Sequence, residues 1–205
     1  RFCWLIIATL LPTLVLFIAM GIAFALMWSS AFTSARIIVT DASPLFSLAL
    51  RFVVSGLIGV GIARAMGQTW HLTRNQWRAT IIFGVCQNAL YLGLNFVAMQ
   101  TVQASLAAII AATMPLLVAL ASWVLFKERL RPLGIVGLLA GVLGVGLIMG
   151  TRISAGVDLY GMALCGLGVL ALTVATLALR GATSGGNFMM VVGLQMLVGA
   201  ALLFV

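Results

Sequence analysis

Long apolar segments separated by short polar stretches run along the whole chain of 205 residues. Each segment is long enough to cross the ~30 Å hydrocarbon core of a bilayer as a helix, at a rise of about 1.5 Å per residue. Strands of a membrane barrel would be about half as long and would alternate in polarity, which these segments do not. The pattern therefore predicts seven transmembrane helices, over residues 14–36, 44–65, 79–99, 104–126, 133–150, 159–180 and 187–205.

Residues 1–13 continue the apolar run in front of the first predicted helix. Because proline interrupts helical hydrogen bonding, Pro12 is predicted to separate this N-terminal segment from the first span. A cleaved secretory signal peptide is not favoured, because the run from Phe2 to Ala35 carries no charge and is far longer than the apolar core of such a peptide.

Basic residues at the helix ends predict the orientation of the chain. If the helices cross the membrane alternately, Arg36 and Arg152 lie on one side, each near an acidic residue. The other basic residues near helix ends all lie on the opposite side: Arg1, Arg64, Arg74, Arg78, Lys127, Arg129, Arg131 and Arg180. Because cytoplasmic loops carry the excess of lysine and arginine, this distribution predicts a multi-pass protein of the cytoplasmic (inner) membrane with a cytoplasmic N-terminus.

The composition excludes several functional classes. Hydrophobic residues make up 64% of the chain and charged residues only 7%, which is typical of a protein dissolved in lipid. The net charge of +8 comes from dispersed basic residues, so nucleic acid is not an expected partner. The single histidine, His71, falls in a polar linker, and no metal-ligand cluster or phosphate-binding glycine loop is present. We therefore expect no enzyme activity, no cofactor and no metal site.

A weak internal repeat relates the two ends of the chain. A shift of 144 residues places the first two predicted helices on the sixth and seventh, with five identities, and puts Arg51 opposite Gln195. Because five helices per repeat is an odd number, the second copy must enter the membrane from the opposite face, as in many transporters. We expect residues 14–150 to form a first five-helix repeat and residues 151–205 to begin a second, incomplete one, in a natural chain that continues past Val205.

Arg51 lies inside the second predicted helix, about 10 Å along its axis from Pro44. A charge deep in a span costs roughly 2.5–3.5 kcal/mol on insertion scales, and less off centre. The three acidic residues all lie at helix ends or in loops, so Arg51 has no evident ion-pair partner within the membrane. Three interpretations stay open: snorkelling to the outer surface, hydrogen bonding to neighbouring helices, and attraction of a substrate carboxylate.

Amides and a tyrosine concentrate in the third predicted helix. Asn88, Tyr91 and Asn95 share one face of this helix, and Gln87 is adjacent. A single amide in a span is commonly explained by interhelical hydrogen bonding. Three amides and a tyrosine in under three turns favour the wall of a substrate cavity instead. Together with Gln195 they are candidate substrate-binding residues.

Three residues of the first predicted helix are further candidates for substrate binding. Trp28 lies near mid-span, where its indole N–H needs an acceptor or the water of a cavity. Ser30 and Ser34 lie one turn apart on the same helix. Ordinary packing is an equal alternative, with each serine bonded to a carbonyl of the preceding turn.

Proline and glycine suggest mechanical roles in the fourth and fifth predicted helices. Pro115 frees a backbone carbonyl in mid-span and is a candidate conformational hinge, although a static kink is equally common. Gly137 and Gly141 form a G-x-x-x-G pair, which predicts a packing seam within the fold or with a partner subunit.

Several motifs in order resemble those of EamA-type transporters, within the drug/metabolite transporter superfamily. They are Trp28-Ser29-Ser30-Ala31-Phe32, Arg51-Phe52, the segment from Ala104 to Leu130 and the glycine-rich stretch GIVGLLAGVLGVGLIM that follows it. The resemblance implies ten helices in two inverted five-helix repeats, cytoplasmic termini, and export of small metabolites, among them amino acids. The small multidrug branch of the superfamily uses a glutamate in its first helix, which this sequence lacks.

The sequence therefore favours a carrier that exports amino acids or related metabolites by alternating access. The substrate is expected near mid-membrane, against the first, second and third helices and the seventh. A non-transporting membrane subunit or scaffold, and an exporter of drugs or organic cations from the same superfamily, stay open as alternatives. The energy source and the choice between monomer and homo-oligomer are left undetermined.

Overall fold

A computed structural model describes residues 2–128, 132–154, 156, 158–180 and 186–205, without the side chains of residues 2–12 and 152–154. Every regular element in these ranges is helical, which confirms the predicted all-helical class. The elements are α1 (Phe2–Asp41), α2 (Pro44–Ala65), α3 (Arg74–Phe83), a π-helical segment (Gly84–Tyr91), α4 (Leu92–Ala98), α5 (Ala104–Ala111), α6 (Met114–Phe126), α7 (Pro132–Ser154), α8 (Leu159–Ala178) and α9 (Phe188–Leu203).

These elements form seven apolar helices or helical stacks close to the seven predicted spans. Within the described ranges, six are long and apolar enough to cross a membrane, and α9, at 16 residues, is shorter than predicted. α1 is longer than predicted, because its backbone is helical on both sides of Pro12, so this proline does not separate two segments. A proline removes only one hydrogen bond from a helix, and in lipid the remaining backbone groups still require helical pairing.

Polar residues at the membrane boundary set the starts of several helices. Thr73 caps α3 in a reciprocal box: its hydroxyl oxygen accepts from the Gln76 N–H at 3.3 Å, and Gln76 Oε1 accepts from the Thr73 N–H at 2.9 Å. Asp158 caps α8 by accepting from the N–H groups of Tyr160 and Gly161. These bonds satisfy amide groups that the first turn of a helix leaves unpaired.

The third predicted helix is interrupted by the π-helical segment, which carries Gln87, Asn88 and Tyr91. This segment packs closely against α9. A Cβ added to Gly84 would lie 2.8 Å from the backbone oxygen of Gln195, and one added to Gly199 would overlap the Cβ of Asn88. Because a π-helical turn holds more residues than an α-helical turn, it changes which side chains of α3 and α4 share a face.

The fourth predicted helix is divided into α5 and α6 by a turn at residues 112–113. The Thr113 hydroxyl donates to the carbonyl of Ile110 at 2.6 Å. Pro115 stands in the first turn of α6, where its missing N–H costs nothing. The interruption ends two residues before Pro115, within the turn in which a proline disturbs a helix. Its role as a hinge stays a prediction.

The predicted glycine seam of α7 is divided between two environments. A Cβ at Gly141 would lie 2.9 Å from the side chain of Leu116, so α7 approaches α6 there. A Cβ at Gly137 would meet no described atom within 4 Å. Among the described residues, the seam is thus a contact at Gly141 alone.

Polar contacts gather at one end of the bundle. The Thr69 N–H donates to Asn187 Oδ1 at 3.2 Å, which joins the α2–α3 connection to the start of α9. Arg180 Nη1 lies 2.9 Å from Glu128 Oε1, in an ion pair between the ends of α8 and α6. Most of the described basic residues belong to this end: Arg64, Arg74, Arg78, Lys127 and Arg180.

The opposite end of the bundle carries two acidic residues, Asp41 at the end of α1 and Asp158 before α8. Arg36 is the one basic side chain near them among the described residues. The Thr101 hydroxyl donates to the carboxylate of Asp158, and the Arg36 guanidinium donates to the carbonyl of Met99. These positions agree with helices that cross alternately. Three residues used in the charge argument lie outside the described ranges: Arg1, Arg129 and Arg131. The side chain of Arg152 lies outside them as well.

Candidate functional site

α1, α2, the π-helical segment and α4 surround a cavity of about 200 Å³, called here the first cavity. Five of the predicted substrate-binding residues meet in its wall: Trp28, Arg51, Gln87, Tyr91 and Asn95. The other lining residues are apolar, among them three phenylalanines, Phe32, Phe52 and Phe96. The first cavity thus combines one cation, two amides and an aromatic wall.

A second cavity, of about 410 Å³, lies on the α9 side of Arg51. Asn88 and Gln195, the remaining amides among the predicted residues, line this second cavity and not the first. Both cavities share four lining residues, which form the partition between them: Arg51, Phe52, Gln87 and Leu92. A side chain at the partition can reach a small molecule on either side.

Arg51 is the one cation that lines either cavity within the described residues. Its side chain is exposed to the cavities, and it makes no hydrogen bond or ion pair with any residue that the structure describes. The predicted structural bond to carbonyls or amides of neighbouring helices is thus not found there. An unpaired guanidinium keeps its five N–H donors for water or an anionic ligand.

Asn95 is held firmly against the first cavity. Its side chain is only 1% exposed, and its Nδ2 donates to the carbonyl of Tyr91 at 2.7 Å. A Cβ added to Gly168 of α8 would lie 2.9 Å from this Nδ2, so α8 backs the amide closely. The hydrogen bond fixes which end of the amide is nitrogen and leaves Oδ1 unpaired.

Asn88 joins two helices instead of facing the first cavity. Its Nδ2 donates to the backbone carbonyl of Gln195 at 2.8 Å, and both residues are buried. This bond is the interhelical contact that a single membrane amide commonly makes. Of the three residues predicted to share a face, Tyr91 and Asn95 line the first cavity, and Asn88 lines the second and bonds to α9.

Ser30 and Ser34 lie outside both cavity walls. Each is exposed, and their hydroxyls donate to carbonyls of their own helix, Met27 at 2.9 Å and Ala31 at 3.0 Å. The packing alternative therefore fits these serines, and a role for them in a substrate wall stays a prediction. Trp28 and Phe32, one turn apart, occupy the inner face, and each serine lies two residues further along, on nearly the opposite side of the helix.

The phenylalanine side chains are the part of the site that the sequence did not identify. Trp28 stacks in a row with Phe24 and Phe32, at ring-centroid distances of 5.5 and 6.0 Å. Phe52 and Phe96 complete the wall from α2 and α4. Nothing in their spacing distinguishes these phenylalanines from ordinary apolar packing, although Phe52 belongs to the motif that contains Arg51.

No group of three or more His, Cys, Asp or Glu side chains comes together in the described part of the chain. The polar groups of the two cavities are a guanidinium, amides and a phenol. Such groups bind a ligand by charge and hydrogen bonding.

The family model of EamA-like transporters matches residues 6–150. An uncharacterised transporter of Synechocystis sp. is 29% identical over 126 residues, which are 60% of this chain and 37% of that protein. The aromatic amino acid exporter YddG of Ancylobacter novellus is 31% identical over 133 residues, which are 64% of this chain and 45% of that protein. The chain thus spans less than half the length of either relative, and no solved structure matches it. With seven apolar helices and a match over most of its length, the chain belongs to the EamA-like transporter family.

Proposed function

We propose that the protein exports small carboxylate-bearing metabolites, amino acids or their relatives, across the inner membrane by alternating access. The observation that carries this proposal is Arg51, an unpaired guanidinium in the walls of both cavities. Placing a charge in a span is costly, so such residues usually serve an ion or substrate pathway. A carboxylate can take two parallel N–H bonds from a guanidinium, which gives geometric selectivity as well as attraction.

The aromatic wall of the first cavity supports a substrate with a flat or bulky apolar side chain. Trp28, Phe32 and Phe96 present ring surfaces, and aromatic groups pack favourably on such surfaces. The name of the Ancylobacter relative, an aromatic amino acid exporter, points to the same class of ligand for that protein. Aromatic amino acids are therefore the first compounds to test.

The partition between the cavities supports alternating access. Because Arg51 lines both cavities, a substrate held by it borders the second cavity as well as the first. The turn at residues 112–113, followed by Pro115, is the proposed hinge. We further propose that residues 14–150 are the first of two inverted five-helix repeats in a ten-helix carrier. The fraction of each relative that this chain covers supports a longer natural protein.

The basic end of the bundle is the proposed cytoplasmic side. It gathers the described lysine and arginine side chains of the α2–α3 and α6–α7 connections and the end of α8. The positive-inside rule then places the N-terminus in the cytoplasm. Cysteine labelling at His71 (His71→Cys) in intact cells with an impermeant reagent tests this orientation, and labelling from outside would contradict it.

Flux through proteoliposomes of the full-length protein tests the transport function. We expect saturable movement of aromatic amino acids, and Arg51→Gln should lower it by about tenfold or more through loss of a charged hydrogen-bonded contact. The control is Arg74→Gln, which removes an exposed arginine at the first position of α3.

Each other outcome has a distinct meaning. Unchanged kinetics in Arg51→Gln would assign Arg51 to snorkelling. Saturable flux of organic cations instead of amino acids would favour the drug exporter alternative. No flux of amino acids, organic cations or sugars would favour a non-transporting subunit.

A further inference from the structure

Two buried side-chain acceptors, each on a residue that lines the first cavity, have no hydrogen-bond partner among the described residues. They are Gln87 Oε1 and Asn95 Oδ1, the only side-chain atoms of this kind in the described part of the chain. Both residues line the first cavity together with Arg51. These two unpaired oxygens belong to residues that line the same cavity as the unpaired guanidinium. Their combination favours one ligand that binds all three groups.

Unpaired buried acceptors are uncommon, because each one forfeits its hydrogen bonds to water without replacing them. The nitrogen of Asn95 is committed to the Tyr91 carbonyl, so the oxygen is the end of the amide left without a partner. A ligand that brings N–H donors to these oxygens would recover a desolvation cost that folding has already incurred.

We infer, on the basis of the proposed function, that the first cavity recognises the zwitterionic head of an amino acid. Arg51 binds the carboxylate, and Gln87 Oε1 and Asn95 Oδ1 accept hydrogen bonds from the ammonium group. An ammonium has three N–H donors, enough for both oxygens. The aromatic wall is left to contact the side chain of the ligand.

Neutral oxygens suit this task better than a carboxylate would. A carboxylate beside Arg51 would form an ion pair with it and compete with the carboxylate of the ligand. Amide oxygens accept from an ammonium while leaving the charge of Arg51 unopposed. The lack of an acid among the described lining residues is therefore consistent with a zwitterionic ligand and not only with an anionic one.

Three ligands that share a phenyl ring and differ in their head groups test this inference. L-phenylalanine carries both head groups, 3-phenylpropionate lacks the ammonium, and phenethylamine lacks the carboxylate. We expect L-phenylalanine to bind about tenfold or more tightly than either analogue, measured by thermal stabilisation of the purified full-length protein and by competition in proteoliposome flux.

Gln87→Met isolates the ammonium contact, because methionine keeps the length of the side chain and removes its oxygen. We expect this variant to weaken L-phenylalanine about tenfold and 3-phenylpropionate less than about twofold. Gln103→Met is the matched control, since Gln103 is exposed at the start of α5 and caps nothing with its side chain.

Equal affinity of the wild-type protein for L-phenylalanine and 3-phenylpropionate would overturn the inference while leaving carboxylate transport intact. Equal weakening of both ligands by Gln87→Met would overturn it as well. Absence of binding and flux for all three ligands would overturn the proposed function and the inference together. The wild-type comparison needs no variant, so a folding defect in Gln87→Met does not remove the test.

Discussion

The third span (α3, the π-helical segment and α4) lies in the interior of the bundle, whereas α7 lies on its outside. The third span is the least apolar of the six long spans, yet 39% of its most apolar stretch is buried. α7 is the most apolar, and none of the corresponding residues is buried among the described parts of the chain. In water the order would be reversed, because there apolar surface drives burial. In lipid, apolar side chains face the solvent, and polar or small residues form the interior.

Glycine by itself does not distinguish the two regions. Gly84 lies against α9, and Gly168 lies against the third span, each with a backbone or amide atom close to where a Cβ would be. Gly137 and Gly144 of α7 have open space at the same position. A glycine in an apolar helix of this protein therefore does not by itself indicate a helix contact.

The largest expected effect is that of a methyl group added between the π-helical segment and α9. In Gly199→Ala the new Cβ would overlap the Cβ of Asn88, so the two backbones must separate. We expect a loss of about 2–3 kcal/mol in the free energy of unfolding, typical of severe overpacking, measured by denaturant unfolding in detergent.

Gly137→Ala is the matched control in α7, where the methyl group meets no described atom. It should be neutral or should stabilise the helix by up to about 1 kcal/mol, because alanine is the better helix former. A destabilisation similar to that of Gly199→Ala would show that α7 is as closely packed as the third span, and the comparison would fail.

A smaller effect is expected from the amide that joins the same two elements. Asn88→Ala removes the hydrogen bond from Nδ2 to the Gln195 carbonyl, which is buried. Interhelical bonds in membranes contribute about 0.6 kcal/mol on average, and the lost side-chain packing adds to this, so we expect about 1–2 kcal/mol.

Asn75→Ala is the control, since Asn75 is exposed on α3, and the change should stay within about 0.5 kcal/mol. Thermal unfolding of both variants in the same detergent measures the difference. Equal midpoints would mean that polar contacts in the interior contribute no more than those at the surface.

The smallest effect is a pH dependence at the polar end of the bundle. The hydroxyl of Thr101 donates to Asp158, and this bond, with those from the N–H groups of Tyr160 and Gly161, lowers the pKa of the carboxyl below its ordinary value. Because the folded-state pKa is lower than the unfolded one, the stabilisation is present above about pH 3.9 and is lost as the pH falls further.

Unfolding midpoints between about pH 5 and pH 2.5 measure this contribution. The wild-type protein should lose more stability across that window than Asp158→Asn, which cannot ionise. Parallel curves would mean that the cap at α8 does not depend on charge.

Some residues of the site can be predicted from the sequence because their side chains are unusual inside a membrane span. Arg51 and Asn95 stand out because a charged or amide group is costly in a span, so both could be proposed without a structure. Phe52 and Phe96 could not, because an apolar side chain in a span has no local feature that separates cavity wall from lipid contact. Ser30 gave no such signal, because a helical serine can always bond the carbonyls of its own helix.

The sequence by itself determined the class of protein and the positions of its spans, since both depend on local apolar length measured against a fixed bilayer thickness. It also determined where unusual polar groups lie along the chain. The tertiary structure alone decided which of these groups meet. Asn88 bonds to α9, Gln87 and Arg51 line the same two cavities, and the oxygen of Asn95 is unpaired. Such meetings depend on the rotation and spacing of helices distant in sequence, which hydropathy does not encode.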